Sequence, residues 1–295
     1  MRKHPVILGV VLLACIGLAS VVLVYGLGIF AAGRHSFSLK GQVGVVPIEG
    51  IISDSEEIVE QLQEFADDQR VRAVVLRINS PGGGVAPSQE IYQAVLELKK
   101  KKKVVVSMGA VAASGGYLIA VAADRILANP GTITGSISAV MHYANVEELM
   151  KKIGVSSHVI KSGKFKDIGS PTRKMTAEEQ TLIQGIVDDI YDQFVQVIAK
   201  NRKIPLEEVR QIADGRVFSG RQAKERRLVD GLGSFQDAVM LAGRLAGLEG
   251  KPEIVHGAKK KVGFLNYLSG SMASSLVEAV SGNKADSTGA LYLLQ

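Results

Sequence analysis

Residues 71–109, VRAVVLRINSPGGGVAPSQEIYQAVLELKKKKKVVVSMG, contain the strongest secondary-structure pattern in the sequence. The first ten of them, 71–80, are rich in apolar and β-branched side chains and predict a buried strand. The following Pro-Gly-Gly-Gly predicts that this strand ends in a turn. Apolar residues at helical spacing over 87–103 predict a helix, and 104–109 predict another strand. This order is typical of parallel strands joined by a crossover helix.

The flanking sequence continues the alternation of strands and helices. The further elements that periodicity predicts are a strand over 41–52, a helix over 53–70, a short helix ending near 124, a strand over 125–130 and a helix over 176–203. Thr176 and Glu179 have the spacing of a capping box at the start of the last helix. The predicted fold class is therefore α/β, with a mostly parallel sheet covered by helices.

The N-terminal region has the pattern of a membrane anchor. Residues 5–33 contain no charged side chain, and these 29 residues are enough to span a bilayer with some tilt. The stretch IFAAG at 29–33 keeps proteolytic cleavage open as an alternative. Arg2 and Lys3 precede the span and favour an N-terminus in the cytoplasm, although cations after the span weaken this bias. The remainder of the chain is then expected outside the cytoplasm.

Composition argues against several classes of function. The net charge is +6, but the lysines are dispersed or lie in short runs such as Lys99–Lys103, which closes a predicted helix. There is no tryptophan and no basic stripe with interleaved aromatics, which argues against nucleic-acid binding. The single cysteine, Cys15, lies in the apolar N-terminal run and supports neither an intrachain disulfide nor a metal cluster.

Three glycine-rich turns are associated with predicted strand ends: SPGGG at 80–84, ASGG at 113–116 and GTITGSIS at 131–138. Each alone is compatible with an ordinary tight turn, and neither a Walker lysine nor a GxGxxG pattern accompanies them. Together they suggest a cleft, because glycine lets backbone N–H groups approach a ligand closely. The N–H groups near Gly83 and Gly115 are candidates for an oxyanion hole.

Ser114 has two physically sound interpretations. It has the position of an N-cap for the following short helix, which requires only one oxygen near the first free N–H groups. It also has the position of a nucleophile at a strand-to-helix turn, which requires a base and an oxyanion site as well. Residue chemistry alone leaves both interpretations open.

Candidate bases are histidines or lysines. His142, 28 residues after Ser114, would complete a Ser-His-Asp arrangement, whereas His158 lies in an alternating stretch and is expected to be structural. A neutral lysine amine is the other option, and Lys161, Lys164 and Lys166 precede a Gly-Ser-Pro turn. Residue chemistry does not choose among the three lysines.

An ordered series of motifs over residues 41–245 resembles the signal peptide peptidase A family in its short, single-repeat bacterial form. The motifs are INSPGGG, AASGGYLIAVAAD, GTITGSI, NVEELMKKIGV, KSGKFKDIGSP, MTAEE and RVFSGRQAKERRLVD. The resemblance implies a Clp-protease and crotonase-like fold, a spiral of ββα units, behind one N-terminal transmembrane helix. It also implies a serine endopeptidase with a Ser-Lys dyad that needs no metal or cofactor. One departure is the absence of the usual glycine before Leu-Val-Asp in AKERRLVD.

The resemblance also implies roles for particular residues. Ser114 matches the nucleophile, and Lys166, the lysine before Asp167, matches the general base. Gly83 and Gly115 match the oxyanion turns, with Gly82 as the neighbouring position. The implied substrates are remnant signal peptides and other unfolded apolar peptides.

The expected organisation is an anchor and neck over 1–40, a peptidase domain over 41–245, and a C-terminal helical segment and tail over 246–295. A single copy of the βα series, together with the resemblance, implies a homo-oligomeric ring of eight in which neighbouring protomers share the dyad. The expected location is the bacterial cytoplasmic membrane, single-pass, with the catalytic domain on its outer face. A crotonase-like acyl-CoA enzyme and a non-catalytic membrane scaffold are the alternatives.

Overall fold

The computed structural model describes residues 16–20, 23, 41–257 and 291–292. The chain divides into two compact units, Met1–Lys40 and Gly41–Gln295. In the first unit, residues 16–20 are helical, and most of the predicted membrane span lies outside the described residues. No helix in the described part of the chain is both long enough and apolar enough to cross a bilayer.

The second unit alternates strands and helices. The strands are β1 Gln42–Ile52, β2 Val71–Gly84, β3 Lys103–Ala113, β4 Arg125–Ala128, β5 Ile133–Gly135, β6 Val217–Ser219, β7 Gly231–Leu232, β8 Glu253–His256 and β9 Leu291–Tyr292. The helices are α1 Glu56–Asp67, α2 Val85–Lys101, α3 Gly115–Ala120, α4 Glu147–Lys152, α5 Ala177–Arg202, α6 Leu206–Arg210, α7 Gly220–Glu225 and α8 Phe235–Leu245. The predicted α/β class is confirmed.

All the strands belong to one mixed sheet with the order β6-β5-β3-β2-β1-β8, in which β4 pairs with β3, β7 with β4, and β9 with β2. Strand β1 pairs in parallel with β8 and β2, and β3 pairs in parallel with β2, β4 and β5. Only the pairs β5–β6 and β2–β9 are antiparallel in the described part of the chain. The prediction of a mostly parallel sheet is therefore confirmed.

Both faces of the central strands are buried, which explains why these strands read as continuous apolar runs. In β2, Val74, Leu76 and Ile78 point into the larger core, which also contains side chains from α1, α2, α3 and α5. The alternate residues Ala73 and Val75 point to the opposite face, where α8 packs through small apolar side chains. The first halves of β2 and β3 are thereby held between two helical layers.

The prediction that Pro-Gly-Gly-Gly ends the second strand is wrong. Strand β2 continues to Gly84 and still pairs with β1, where Ile51 lies opposite Gly82 and Ile52 opposite Gly83. The strand does change register here, and Gly82 has a φ of 110°, which a side chain would disfavour. Glycine at this point bends the strand without ending it.

Two other stretches differ from the sequence predictions. The segment around His158 is irregular and exposed, so the alternating pattern there does not mark a strand. Residues 253–256, within the segment expected to be helical, form β8 beside β1. Its sequence, Glu-Ile-Val-His, is short and β-branched, and an available edge of the parallel sheet accommodates it.

The basic run Lys99–Lys103 is structural, as predicted. Lys99 donates hydrogen bonds to the carbonyl oxygens of Ala122 and Ala123, at 3.0 and 3.2 Å. Lys102 donates to two carbonyl oxygens near the end of α1, and Lys101 pairs with Asp67. These lysines therefore bind carbonyl and carboxylate groups near helix ends.

Candidate active site

Ser114 lies between the end of β3 and the start of α3, in a conformation that few L-amino acids adopt. Its φ is 53° and its ψ is −120°. The Ser114 N–H donates to the carbonyl oxygen of Gly135 at 2.9 Å, and the Ser114 carbonyl accepts from the Leu118 N–H at 2.9 Å. Strand β5 and the first turn of α3 thus hold a strained backbone, a feature that often marks functional sites.

The Ser114 side chain does not cap α3. The residue is only 1% exposed, and its Oγ makes no hydrogen bond with any described residue. A buried hydroxyl without a partner is uncommon, because desolvation is then uncompensated. The N-cap interpretation of Ser114 is therefore wrong, and the hydroxyl is left available for another role.

The glycine-rich turns of β2 and β3 lie against each other. A Cβ added to Gly115 would collide with Ser88 Oγ and would lie 3.4 Å from the Gly83 nitrogen. A Cβ on Gly83 would overlap the backbone of Ile52. The structure thus brings the predicted oxyanion glycines, Gly83 and Gly115, together at positions where a side chain does not fit.

The third glycine-rich turn completes the same edge of the sheet. Gly135, at the end of β5, pairs with Ala113 and has a φ of 87°. Ser136, the next residue, also has a positive φ of 50°. The three turns that the sequence placed near strand ends therefore converge around Ser114.

Polar side chains to which the sequence motifs assign no role hold these turns, and two of them, Ser88 and Thr134, are buried. Ser88 Oγ donates to the Gly84 carbonyl at 2.8 Å, and Thr134 Oγ1 donates to the Ala112 carbonyl at 2.6 Å. Asn79 Oδ1 accepts from two backbone N–H groups of β3, at 3.1 and 3.2 Å. In sequence these side chains look like ordinary strand and helix residues, and only their tertiary contacts reveal this supporting role.

The three candidate lysines differ in their partners. Lys161 forms an ion pair with Asp167, and Lys164 forms one with Glu178. Lys166 is exposed, and its side chain makes no ion pair or hydrogen bond with a residue that the structure describes. Of the three, Lys166 is thus the one whose amine no described carboxylate engages.

An ion-pair cluster, formed by Lys161, Asp167, Arg173 and Glu179, surrounds the backbone next to Lys166. Arg173 donates to Asp167 Oδ2 at 2.8 Å and to both carboxylate oxygens of Glu179, at 2.8 and 2.5 Å. Hydrogen bonds from Arg173 and then Lys161 hold the pKa of Asp167 well below its usual range. Arg173 and the Thr176 backbone lower the pKa of Glu179 to about 2. Both carboxylates are therefore ionised at neutral and alkaline pH.

The histidine alternative gains no support from the geometry. His142 is exposed in an irregular segment, and neither it nor any other described histidine bonds Ser114 Oγ. The described residues also contain no group of three or more His, Cys, Asp or Glu side chains placed to hold a metal ion.

Comparison with known sequences identifies the family. The model of peptidase family S49 matches residues 97–249, and the Clp protease model matches 46–133. The chain belongs to peptidase family S49. It is 44% identical to a protein of Synechocystis sp. named as a protease, over 72% of this chain and 77% of that protein. A Methanocaldococcus jannaschii protein, also named as a protease, is 36% identical over 84% of this chain and 83% of its own.

The signal peptide peptidase A resemblance is also confirmed. An Enterococcus faecium protein named as signal peptide peptidase SppA is 37% identical over 65% of this chain and 60% of its own length. This S49 peptidase is therefore an SppA-type serine peptidase with a Clp-protease-like α/β domain. The family assignment disfavours the acyl-CoA enzyme and the non-catalytic scaffold that the sequence alone left open.

Replacing Gly83 by Ala should abolish most peptidase activity. The added methyl group overlaps the Ile52 backbone and displaces the Gly83 N–H, which the sequence predicts to be an oxyanion donor, and loss of one such donor typically lowers kcat about 10²–10³-fold. Gly131→Ala is the matched control, because a Cβ there meets no atom within 4 Å. Peptide hydrolysis and thermal unfolding measure both effects. A Gly83→Ala protein with the activity and Tm of the parent would contradict the close approach.

Proposed function

We propose that this S49 peptidase is a membrane-anchored endopeptidase in which Ser114 is the nucleophile and Lys166 the general base. Its substrates are remnant signal peptides and other unfolded, apolar peptides. The single observation that carries the proposal is the buried Ser114 Oγ, which has no partner among the described residues and lies on a strained turn beside Gly83 and Gly115. The Lys166 assignment rests on the KFKD motif and on the absence of a described ionic partner.

The proposed reaction begins with a neutral Lys166 amine accepting the Ser114 Oγ proton. The oxygen then forms a bond to the peptide carbonyl carbon, and the carbonyl electron pair moves onto its oxygen. Backbone N–H groups of Gly83 and Gly115 stabilise this oxyanion. Collapse breaks the C–N bond, and the Lys166 ammonium gives its proton to the leaving amine.

The second half of the reaction releases the acyl group by the same route. Lys166 accepts a proton from water, whose oxygen bonds to the ester carbon. Collapse of this second intermediate breaks the bond to Ser114 Oγ, which takes back the proton from Lys166. The products are a carboxylic acid and an amine, and the enzyme returns to its starting state.

Peptide hydrolysis by the full-length protein should be lost in Ser114→Ala and in Lys166→Ala. Lys164→Ala, the control in the same loop, should retain most activity, because the Lys164 ammonium group is engaged in an ion pair with Glu178. In the parent, kcat/KM should rise with pH, since only the neutral amine accepts a proton. The assay is cleavage of signal-peptide sequences, with circular dichroism as the check of folding.

Three results would overturn these assignments. Unchanged turnover in Ser114→Ala removes the nucleophile. An inactive Lys164→Ala with an active Lys166→Ala shifts the position of the base. Loss of activity in His142→Ala with retention in Lys166→Ala replaces the dyad by a histidine-based site.

The membrane anchor is proposed from the uncharged run at 5–33 and from Arg2 and Lys3. A protease added to intact spheroplasts should digest the catalytic domain, because the proposed orientation exposes it outside the cytoplasmic membrane. Immunoblotting against the domain measures the digestion, and a cytoplasmic protein serves as the control. Full protection until the cells are lysed would reverse the proposed orientation.

We further propose that protomers assemble into a ring and share the dyad, with Ser114 of one chain meeting Lys166 of its neighbour. Two observations support this arrangement: within one chain, Ser114 Oγ has no described partner, and Lys166 is exposed. A closed ring with a repeated head-to-tail interface would supply each serine with a lysine.

Mixed assemblies of Ser114→Ala and Lys166→Ala protein should regain activity after unfolding and refolding together. With equal amounts and random mixing, about a quarter of the shared sites receive both an intact serine and an intact lysine. Each variant refolded alone is the control, and different affinity tags establish that mixing has occurred. A confirmed mixed assembly without activity would contradict the shared dyad, because a dyad within one chain is never restored by mixing.

A further inference from the structure

The segment that carries Lys166 has no regular secondary structure. Asp167, the residue after Lys166, is nevertheless held through both its backbone and its side chain. Arg173 Nη2 donates to the backbone carbonyl oxygen of Asp167 at 3.3 Å, while Arg173 Nε bonds the Asp167 side chain at 2.8 Å. One guanidinium group thus donates hydrogen bonds to both the backbone and the side chain of Asp167. Such a planar, multidentate contact restricts orientation more than a single ammonium contact does.

The same guanidinium connects this segment to the start of α5. Glu179, which is 3% exposed, accepts from Arg173 with both oxygens and also accepts from the Thr176 N–H at 2.9 Å. The far half of α5 enters the main core through Phe194, Val195 and Ile198. Arg173 and Glu179 therefore link the Lys166 segment to α5, a helix that packs in the core.

The ion-pair cluster also occupies the carboxylate nearest to Lys166 in sequence. Lys161 forms an ion pair with Asp167 Oδ1, and Arg173 forms one with Oδ2. Two cations and two anions make the cluster electrically neutral. A carboxylate engaged on both oxygens is a poor counter-ion for a further ammonium group, whereas a free one would favour the protonated amine.

The other charged groups nearby are also mostly paired. Lys164 is bound to Glu178 of α5. On α4, Glu147 pairs with Lys151 and accepts from the backbone N–H of Lys174. Lys174 is a further cation here, and its side chain has no ion pair among the described residues. The Asp167 carboxylate lies closest to Lys166 along the chain.

We propose that Arg173, Asp167 and Glu179 are positioning residues for Lys166: they fix its backbone and withhold the Asp167 carboxylate from its ammonium group. This inference rests on the proposed role of Lys166 as general base. The cluster thereby keeps the Asp167 carboxylate, which would favour the protonated amine, from serving as the counter-ion of Lys166.

The test is the pH dependence of kcat/KM for full-length Arg173→Gln, Asp167→Asn and the double variant. Arg173→Gln removes a cation from the neutral cluster and leaves a net negative charge next to Lys166 along the chain, so the midpoint of the profile should move up by about half a pH unit, the order expected for one added unit charge at a partly solvated site. Below the midpoint this is about a threefold loss of activity, which higher pH restores. Asp167→Asn should move the midpoint down, and the double variant should return it towards the parent value.

Two controls separate charge from geometry. Arg173→Lys keeps the positive charge but loses the planar guanidinium group that binds both carboxylates. It should therefore lower the plateau of kcat/KM while leaving the midpoint near that of the parent. Arg70→Gln removes an arginine that also binds an aspartate through two N–H groups, but in the turn after α1. It should leave both the midpoint and the plateau unchanged. Thermal unfolding shows whether each variant is folded, and Asp167→Asn provides an independent measurement if Arg173→Gln does not fold.

The outcomes distinguish the cluster from the base itself. If Lys166→Ala is inactive but the midpoints of all variants coincide with that of the parent, the positioning role is wrong and the base assignment stands. A double variant that stays displaced as far as Arg173→Gln also overturns the electrostatic role. If Lys166→Ala retains full activity, the proposed dyad fails, and the inference that depends on it fails for that reason.

Discussion

The backbone conformation of Ser114 is the constraint on which the remaining site geometry depends. A φ of 53° with a ψ of −120° is costly for a residue with a Cβ, of the order of 1–3 kcal/mol, and persists only where the surroundings determine it. Here the Ser114 N–H is fixed to Gly135, and all six residues of α3 are buried. Tyr117 of α3 also donates a hydrogen bond to the Leu228 carbonyl at 2.8 Å. The strain is therefore offset by burial of the helix that follows it.

That constraint explains the glycines and small polar residues at the same edge. A sharp turn into a buried helix requires the β2 backbone to pass close to α3, and Gly115 and Gly83 provide the space. The carbonyl groups at this edge still need donors, which Ser88 and Thr134 supply from within the core. Small side chains with one hydroxyl suit this purpose, because they bond the backbone without enlarging the distance between elements.

Local sequence patterns predicted much of this architecture, but tertiary contacts decided the rest. Periodicity predicted the central strands, and the Thr176–Glu179 spacing predicted a capping box that α5 contains. It did not predict that Gly82 and Gly83 continue a strand, since the pairing partner lies about thirty residues earlier at Ile51 and Ile52. Likewise, an isolated Ser114 is compatible with a cap, and only its unbonded Oγ distinguishes the two interpretations.

The same limit applies to the lysines, where sequence chemistry had no basis for a choice. Three lysines within six positions differ only in which acids reach them, and those acids lie up to 14 residues away along the chain. Folding places Asp167 and Glu178 against Lys161 and Lys164, and leaves the amine of Lys166 without a described carboxylate. The ion-pair cluster around Arg173 is partly buried, since Glu179 is only 3% exposed, so it holds this segment in place and gives each of its buried charges a partner. Together with the separate Lys164–Glu178 pair, the cluster gives Lys161 and Lys164 counter-ions and gives none to Lys166, whose proposed chemistry requires a neutral amine.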